Sequence, residues 1–276
     1  MSSILPIIPP DDLLIEAYAL TDVGLKRERN EDHCLSAPEL GLFVVADGMG
    51  GHVGGEFASH IAVDSIQRVM AEDPVTLADL LTEEDQAKLA SPAERLTLAI
   101  DVANRQIFQK AIEDKSLKGM GTTVTALLVN GGRYYVAHVG DSRAYLIRDG
   151  KIKRTTRDHS WVNEHIEMGL INEEQAKHHF LRNIITRSVG YQPELQVDLS
   201  GEAYRENDCF LLCSDGLSGL IDDDELLKVI REGDETLSEI PARLVKLACD
   251  HGGDDNITVV IIRVSSSAAA STQESA

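Results

Sequence analysis

The chain has 276 residues, 26 basic and 46 acidic, for a formal charge of −20, with 43% hydrophobic and 26% charged side chains; this suits one large globular domain or two small ones with a full core. So acidic a surface repels phosphates, and 12 aromatic residues leave little for base stacking, so nucleic acid is excluded as a partner. No apolar run approaches the roughly 18 residues of a membrane span, and MSSILPIIPPDD lacks a basic n-region and is broken by Pro6, Pro9 and Pro10, so neither span nor secretory signal is expected and the chain reads as cytoplasmic.

Residues 1–15 read as a loosely held lead-in. A strand-like AYALTDVG (17–24) follows, then a polar loop (26–32) and the buried-strand signal GLFVVADG (41–48). Helical spacing over 55–71 places Phe57, Ile61, Ile66 and Val69 on one face. The acidic segment 72–90 reads as a short helix plus loops. Ser91-Pro92-Ala93-Glu94 is a capping box with proline at the first helical position, opening a helix with Leu96, Ile100, Ala103, Ile107 and Ala111 on its apolar face. Three strands follow in 122–148, the first two joined at Asn130-Gly131-Gly132.

The stretch 157–182 is polar, His-rich and helical in pattern, with a second capping box at Asn172 to Gln175, and resembles an inserted lid. Two strands (about 195–204 and 208–214), two helices (223–232 and 238–250) and a last strand (256–264) complete the domain, taken as 16–264. The tail 265–276 is low-complexity and expected to be disordered. Strand-rich halves flanked by helix pairs predict a layered α/β domain with antiparallel sheets. Cys34, Cys209, Cys213 and Cys249 form no C-x-x-C, and none has Arg six positions on, as a cysteine-nucleophile phosphatase would need. Cys209 and Cys213 share one strand face as inert core thiols.

The most informative regularity is a carboxylate at the end of an apolar strand, three times over: Asp47-Gly48, Asp141 and Asp215-Gly216. Asp254-Asp255-Asn256 opens a fourth strand. A lone Asp-Gly is an ordinary turn. Several carboxylates converging at one edge raise one another's pKa, and a hard divalent cation relieves that conflict. Oxygen ligands select Mg²⁺ or Mn²⁺ over zinc, so the pattern points to a two-metal site.

These residues stand in motifs that resemble the type 2C family of metal-dependent Ser/Thr protein phosphatases, in its compact bacterial form. The motifs run from Thr21 to Asp32, from Val45 to His52, from Gly119 to Thr123, from Val139 to Arg143, from Ser214 to Leu217 and from Gly253 to Thr258, in family order. The resemblance implies an α+β four-layer α/β/β/α sandwich with two antiparallel sheets at its centre and a helical flap near the site. It implies hydrolysis of phosphoserine and phosphothreonine on proteins by a metal-bridging hydroxide, without a phosphoenzyme. Asp47 would bridge two Mn²⁺ or Mg²⁺ ions, Asp215 and Asp255 would complete the first, and the Gly48 carbonyl would bind the second. Asp141, with Asp215, would hold a third. Glu31 and Asp32 would hold metal-bound waters, Asn256 would orient neighbouring ligands, and Arg27 would clamp the phosphate through parallel hydrogen bonds. His52 would protonate the leaving alkoxide, although Met49 stands where some relatives have the histidine.

Other features carry blander readings. His178-His179 is a solvated helix face, Asp158-His159-Ser160 cannot form a relay from three adjacent side chains, and Asp222 to Glu225 complements a helix N-terminus. Two rival functions remain: an inactive phosphoprotein-binding member of the family, and a two-metal hydrolase of small phosphoesters. The expected partners are phosphorylated Ser/Thr proteins made by a Ser/Thr kinase, and the chain is expected to be a monomer.

Overall fold

The computed structural model describes residues 13–50, 53–232 and 236–266. β1 (Leu13–Asp22) pairs antiparallel along its whole length with the last strand, β11 (Ile257–Ser266), from Leu13↔Ser266 to Asp22↔Ile257. The pairing thus extends at both ends past the 16–264 expected for the domain. Ile15 and Ala17 pack inward, which draws part of the presumed lead-in into the sheet.

The next elements are β2 (Asp32–Ala37), β3 (Leu42–Met49), α1 (Gly54–Ala71), α2 (Asp85–Lys88), α3 (Pro92–Glu113), β4 (Gly121–Thr122), β5 (Val124–Asn130), β6 (Arg133–Val139), β7 (Arg143–Arg148) and β8 (Lys151–Arg154). The flap carries α4 (Trp161–Glu167) and α5 (Glu173–Lys177). β9 (Asp198–Ala203), β10 (Asp208–Cys213), α6 (Asp215–Ser218), α7 (Asp223–Arg231) and α8 (Ile240–Asp250) lead to β11.

Two sheets result, ordered β1-β11-β10-β7-β8 and β2-β3-β5-β6-β9, with β4 pairing to β3. α1 and α3 cover the second sheet through Ala62, Ile66, Leu96, Ile100 and Ile107, which meet Leu42, Val44 and Ala46 of β3. α7 and α8 cover the first sheet through Leu226, Leu244 and Ala248, against Leu211 and Cys213. Between the sheets lie Phe43, Val45, Leu127, Val136, Leu146, Phe210, Leu212, Val260 and Ile262. The four-layer α/β/β/α sandwich is therefore the fold. β3 shows why its sequence is an unbroken apolar run: even positions face helices, odd positions face the other sheet, and both faces are buried.

Phe57 departs from its expected place, since it is 47% exposed while Ala58 and Ala62 take the buried face of α1. The flap is pinned at its base by the bridge Ser160↔Ile185, and the segment returning from it is tied to the core by Thr122↔Val189. Among the described residues no helix is long and apolar enough to cross a membrane.

Candidate metal centre

At one end of the sandwich the filling between the sheets changes from apolar to polar in strand after strand. The inward positions run Phe43, Val45, Asp47 on β3 and Cys34, Asp32 on β2. They run Leu127, Thr125 on β5, Val136, His138 on β6, Leu212, Ser214 after β10 and Val260, Thr258 on β11. Asp32 and Asp47 are direct cross-strand partners, so their side chains stand on one face. Asp215 opens α6 immediately after β10, Asp255 precedes β11, and Asp141 lies on the link between β6 and β7, which joins the two sheets. The fold thus gathers Asp32, Asp47, Asp141, Asp215 and Asp255 at one end.

Their charges conflict. Burial pushes the Asp32 carboxyl up to about 7, with Asp215 and Asp255 adding to the rise and the nearby hydroxyls of Thr258 and Ser214 opposing it. Asp47 is held well above the usual carboxylate range by burial and then by Asp32, Asp215, Asp141 and Asp255. Burial likewise raises Asp141, with Asp215 next among the causes. It also raises Asp215, helped by Asp255 and opposed by the Arg143 and Arg27 guanidiniums. One oxygen each of Asp32, Asp141 and Asp215 is buried without any hydrogen-bond partner. Such oxygens are costly unless a cation or donor meets them, so the residues present fit divalent ions. Among the described residues no three of these side chains close on one point as a complete ligand set. Mg²⁺ and ions like it take few carboxylates and much of their coordination from other oxygens, which matches a dispersed set.

The shell around them is tightly built. Thr258 donates to Asp32 Oδ2 at 2.7 Å. Asp47 is fixed by its backbone, whose N–H donates to the Thr123 hydroxyl at 2.9 Å while its carbonyl accepts from Thr122 Oγ1 and the Thr123 N–H. Asn256 donates to the carbonyls of Val23 and Arg29 and accepts from the Glu31 N–H at 2.8 Å, so it clamps the loop bearing Arg27 and Glu31. Burial raises the Glu31 carboxyl, with Arg27 opposing. A Cβ on Gly55 would stand 2.0 Å from Glu31 Oε2, and one on Gly48 would stand 2.1 Å from the Gly55 carbonyl, so only glycines admit this approach. Arg27, expected at the phosphate, donates to Asp255 Oδ2 at 2.6 Å with its side chain more than half exposed. His52 lies outside the described residues.

Sequence reasoning missed Thr258, Ser214 and Gly55. The available signal was a hydroxyl at the inward phase of an otherwise apolar strand. The histidine pair divides. His178 is 81% exposed, whereas His179 stacks on Trp161 at 4.6 Å and on Phe180 at 4.7 Å, because the flap builds a small aromatic cluster of its own. Cys209 and Cys213 are buried, and burial pushes both thiols up to about 12, as inert thiols should be. Asp222 caps α7 by accepting from the Glu225 N–H at 2.9 Å.

Comparison with known proteins agrees with this architecture. The family described as protein phosphatase 2C matches residues 26–246. The serine/threonine protein phosphatase PstP of Mycobacterium tuberculosis is 35% identical over 252 residues, 91% of this chain, although the chain spans only 45% of that relative's length. The serine/threonine phosphatase Stp of Listeria monocytogenes is 34% identical over 88% of this chain and 93% of its own. The crystal structure of the PstP catalytic domain in complex with two manganese ions superposes with a TM-score of 0.78 at 33% identity, covering 92% of this chain and 99% of that one. Fold and family match therefore define a protein phosphatase architecture. The chain belongs to the protein phosphatase 2C family of Ser/Thr protein phosphatases.

Proposed function

We propose that this chain hydrolyses phosphoserine and phosphothreonine on proteins, with direct transfer to water and no covalent phosphoenzyme. The observation that carries the reading is the set of buried, unpartnered oxygens on Asp32, Asp141 and Asp215 gathered between the sheets. Asp47, Asp215, Asp255 and the Gly48 carbonyl would hold two Mn²⁺ or Mg²⁺ ions, and Asp141 with Asp215 a third. When bound, such ions supply Lewis acidity and lower the pKa of water beside them.

The chain's own residues do the rest. Glu31 and Asp32 accept hydrogen bonds from water and so orient it. Arg27 leaves Asp255 for the substrate, an inexpensive move for an exposed ion pair, and grips two phosphate oxygens in parallel. Water gives up one proton to bulk solvent as its oxygen bonds to phosphorus, the bond to the Ser or Thr oxygen breaks, and a protonated His52 donates its proton to that leaving oxygen. The partners we assign are phosphoproteins made by an opposing Ser/Thr kinase, met in the cytoplasm by a monomer.

The test is phosphate release from a phosphothreonine peptide with Mn²⁺, with Mg²⁺ and with EDTA, beside Asp215→Asn. We expect release that needs metal and falls more than about 100-fold in the variant. Folded protein that binds metal yet releases no phosphate would overturn the activity and leave phosphoprotein binding in its place.

A further inference from the structure

The link that presents Asp141 is anchored from outside itself. Gly140 sits at φ +114°, and a Cβ there would lie 2.6 Å from Thr123, so this position can carry no side chain to fix it. Both of its backbone groups are held by one residue. The Gly140 N–H donates to His159 Nδ1 at 3.0 Å, and the His159 N–H donates to the Gly140 carbonyl at 2.7 Å. Since Nδ1 accepts, the ring proton lies on Nε2, which donates to Asp198 Oδ2 at 3.1 Å. Arg187 lies 3.1 Å from that same nitrogen and donates to Asp198 Oδ1 at 2.6 Å. On the other side of Asp141, Arg143 grips Asp158 with Nε and Nη2, the latter at 2.7 Å. Gly140 and Arg143, which bracket Asp141, are thus both tied to the consecutive pair Asp158-His159.

We infer that His159 is a positioning residue for the Asp141 carboxylate, with Asp198 fixing the ring so that the base of the flap sets where Asp141 meets a divalent ion. The inference rests on Asp141 being a metal ligand. Asp141 Oδ1 is buried without a partner, so no hydrogen bond aims that oxygen, and the backbone hold determines its place. Groups of this kind behind a ligand typically change metal affinity or activity about 10- to 100-fold when lost.

The experiment is a Mn²⁺ titration of the full chain, with free ion read by electron paramagnetic resonance, on the parent, Asp141→Asn, His159→Phe and His159→Asn. Phe keeps a ring without an acceptor, whereas Asn places an oxygen near the position of Nδ1. Asp141→Asn should abolish one weaker class of bound ion. His159→Phe should weaken that same class about 10-fold or more and lower kcat with KM for a phosphopeptide unchanged. His159→Asn should restore binding to within a few-fold. Loss in Asp141→Asn with parental binding in His159→Phe overturns the positioning role alone. Parental binding in both overturns the ligand role of Asp141 and this inference with it, while the Asp215→Asn test of the activity stands apart. Should His159→Phe melt below the working temperature, Asp198→Asn reads the same equilibrium. It leaves the Gly140 contacts in place, and a few-fold weakening is expected; unchanged affinity there overturns the role of the ring.

Discussion

Asp32 sits between the sheets with one oxygen on Thr258 and the other on no protein group. Its raised pKa, about 7, means that folding takes up a proton there. Its contribution to stability is therefore full below the unfolded value near 4 and is lost as pH rises through 7. Asparagine mimics the protonated form, so Asp32→Asn should stabilise the metal-free protein at pH 8 by about 2 kcal/mol, and by less at pH 5. Thermal unfolding in EDTA at the two pH values checks this, and the same variant should release phosphate more slowly with Mn²⁺. His138 has the opposite sign. Burial, with His159 next, lowers its pKa to about 4, and its Nε2 faces the Arg157 carbonyl at 3.1 Å. The unfolded chain binds that proton first, so stability is lost as pH falls from about 6.5 toward 4. The parent should lose about 2 kcal/mol from this group between pH 7 and 5, and His138→Gln should lose that much less in denaturant unfolding.

The start of α1 is locked to the site by Gly55, whose absent side chain makes room for Glu31. Gly55→Ala should displace Glu31, destabilise the fold by about 1–3 kcal/mol and reduce phosphate release, read by denaturant melts and by assay. How legible an element was in the sequence depends on how many of its faces are buried. β3 could be read outright, because burial on both faces leaves an unbroken apolar run ending in Asp47-Gly48. β2 was missed since DHCLSA mixes polar and apolar residues, its polar first position being the inward Asp32. β8 was missed since KIKR carries the charges that suit an exposed sheet edge. The aspartates stood out because the same apolar-strand-then-Asp pattern recurs along the chain, whereas Thr258 did not, threonine being ordinary in strands. His159 was passed over for a different reason. Adjacency to Asp158 and Ser160 excludes a side-chain relay, but its contact is to backbone far along the chain, and no spacing rule reports that.

Across the whole molecule, one sheet supplies Asp32 and Asp47, the other leads into Asp215 and Asp255, and Asp141 lies on the link between them. The apolar layer holds the rest of the sandwich together, while this end is packed with groups that repel one another without a counter-charge. Removing divalent ions should therefore loosen this end first. Hydrogen exchange in EDTA should rise at residues 45–48, 139–142 and 214–216 before it rises in the core strands, and Mn²⁺ should reverse it. Because a protease needs locally opened chain, the ion-free protein should also be cut sooner than the loaded one under limited digestion. That outcome would tie the abundance of this protein to mineral supply through a carboxylate cluster that spans both halves of the sandwich: a starved cell would lose not only turnover at each molecule but the molecules themselves.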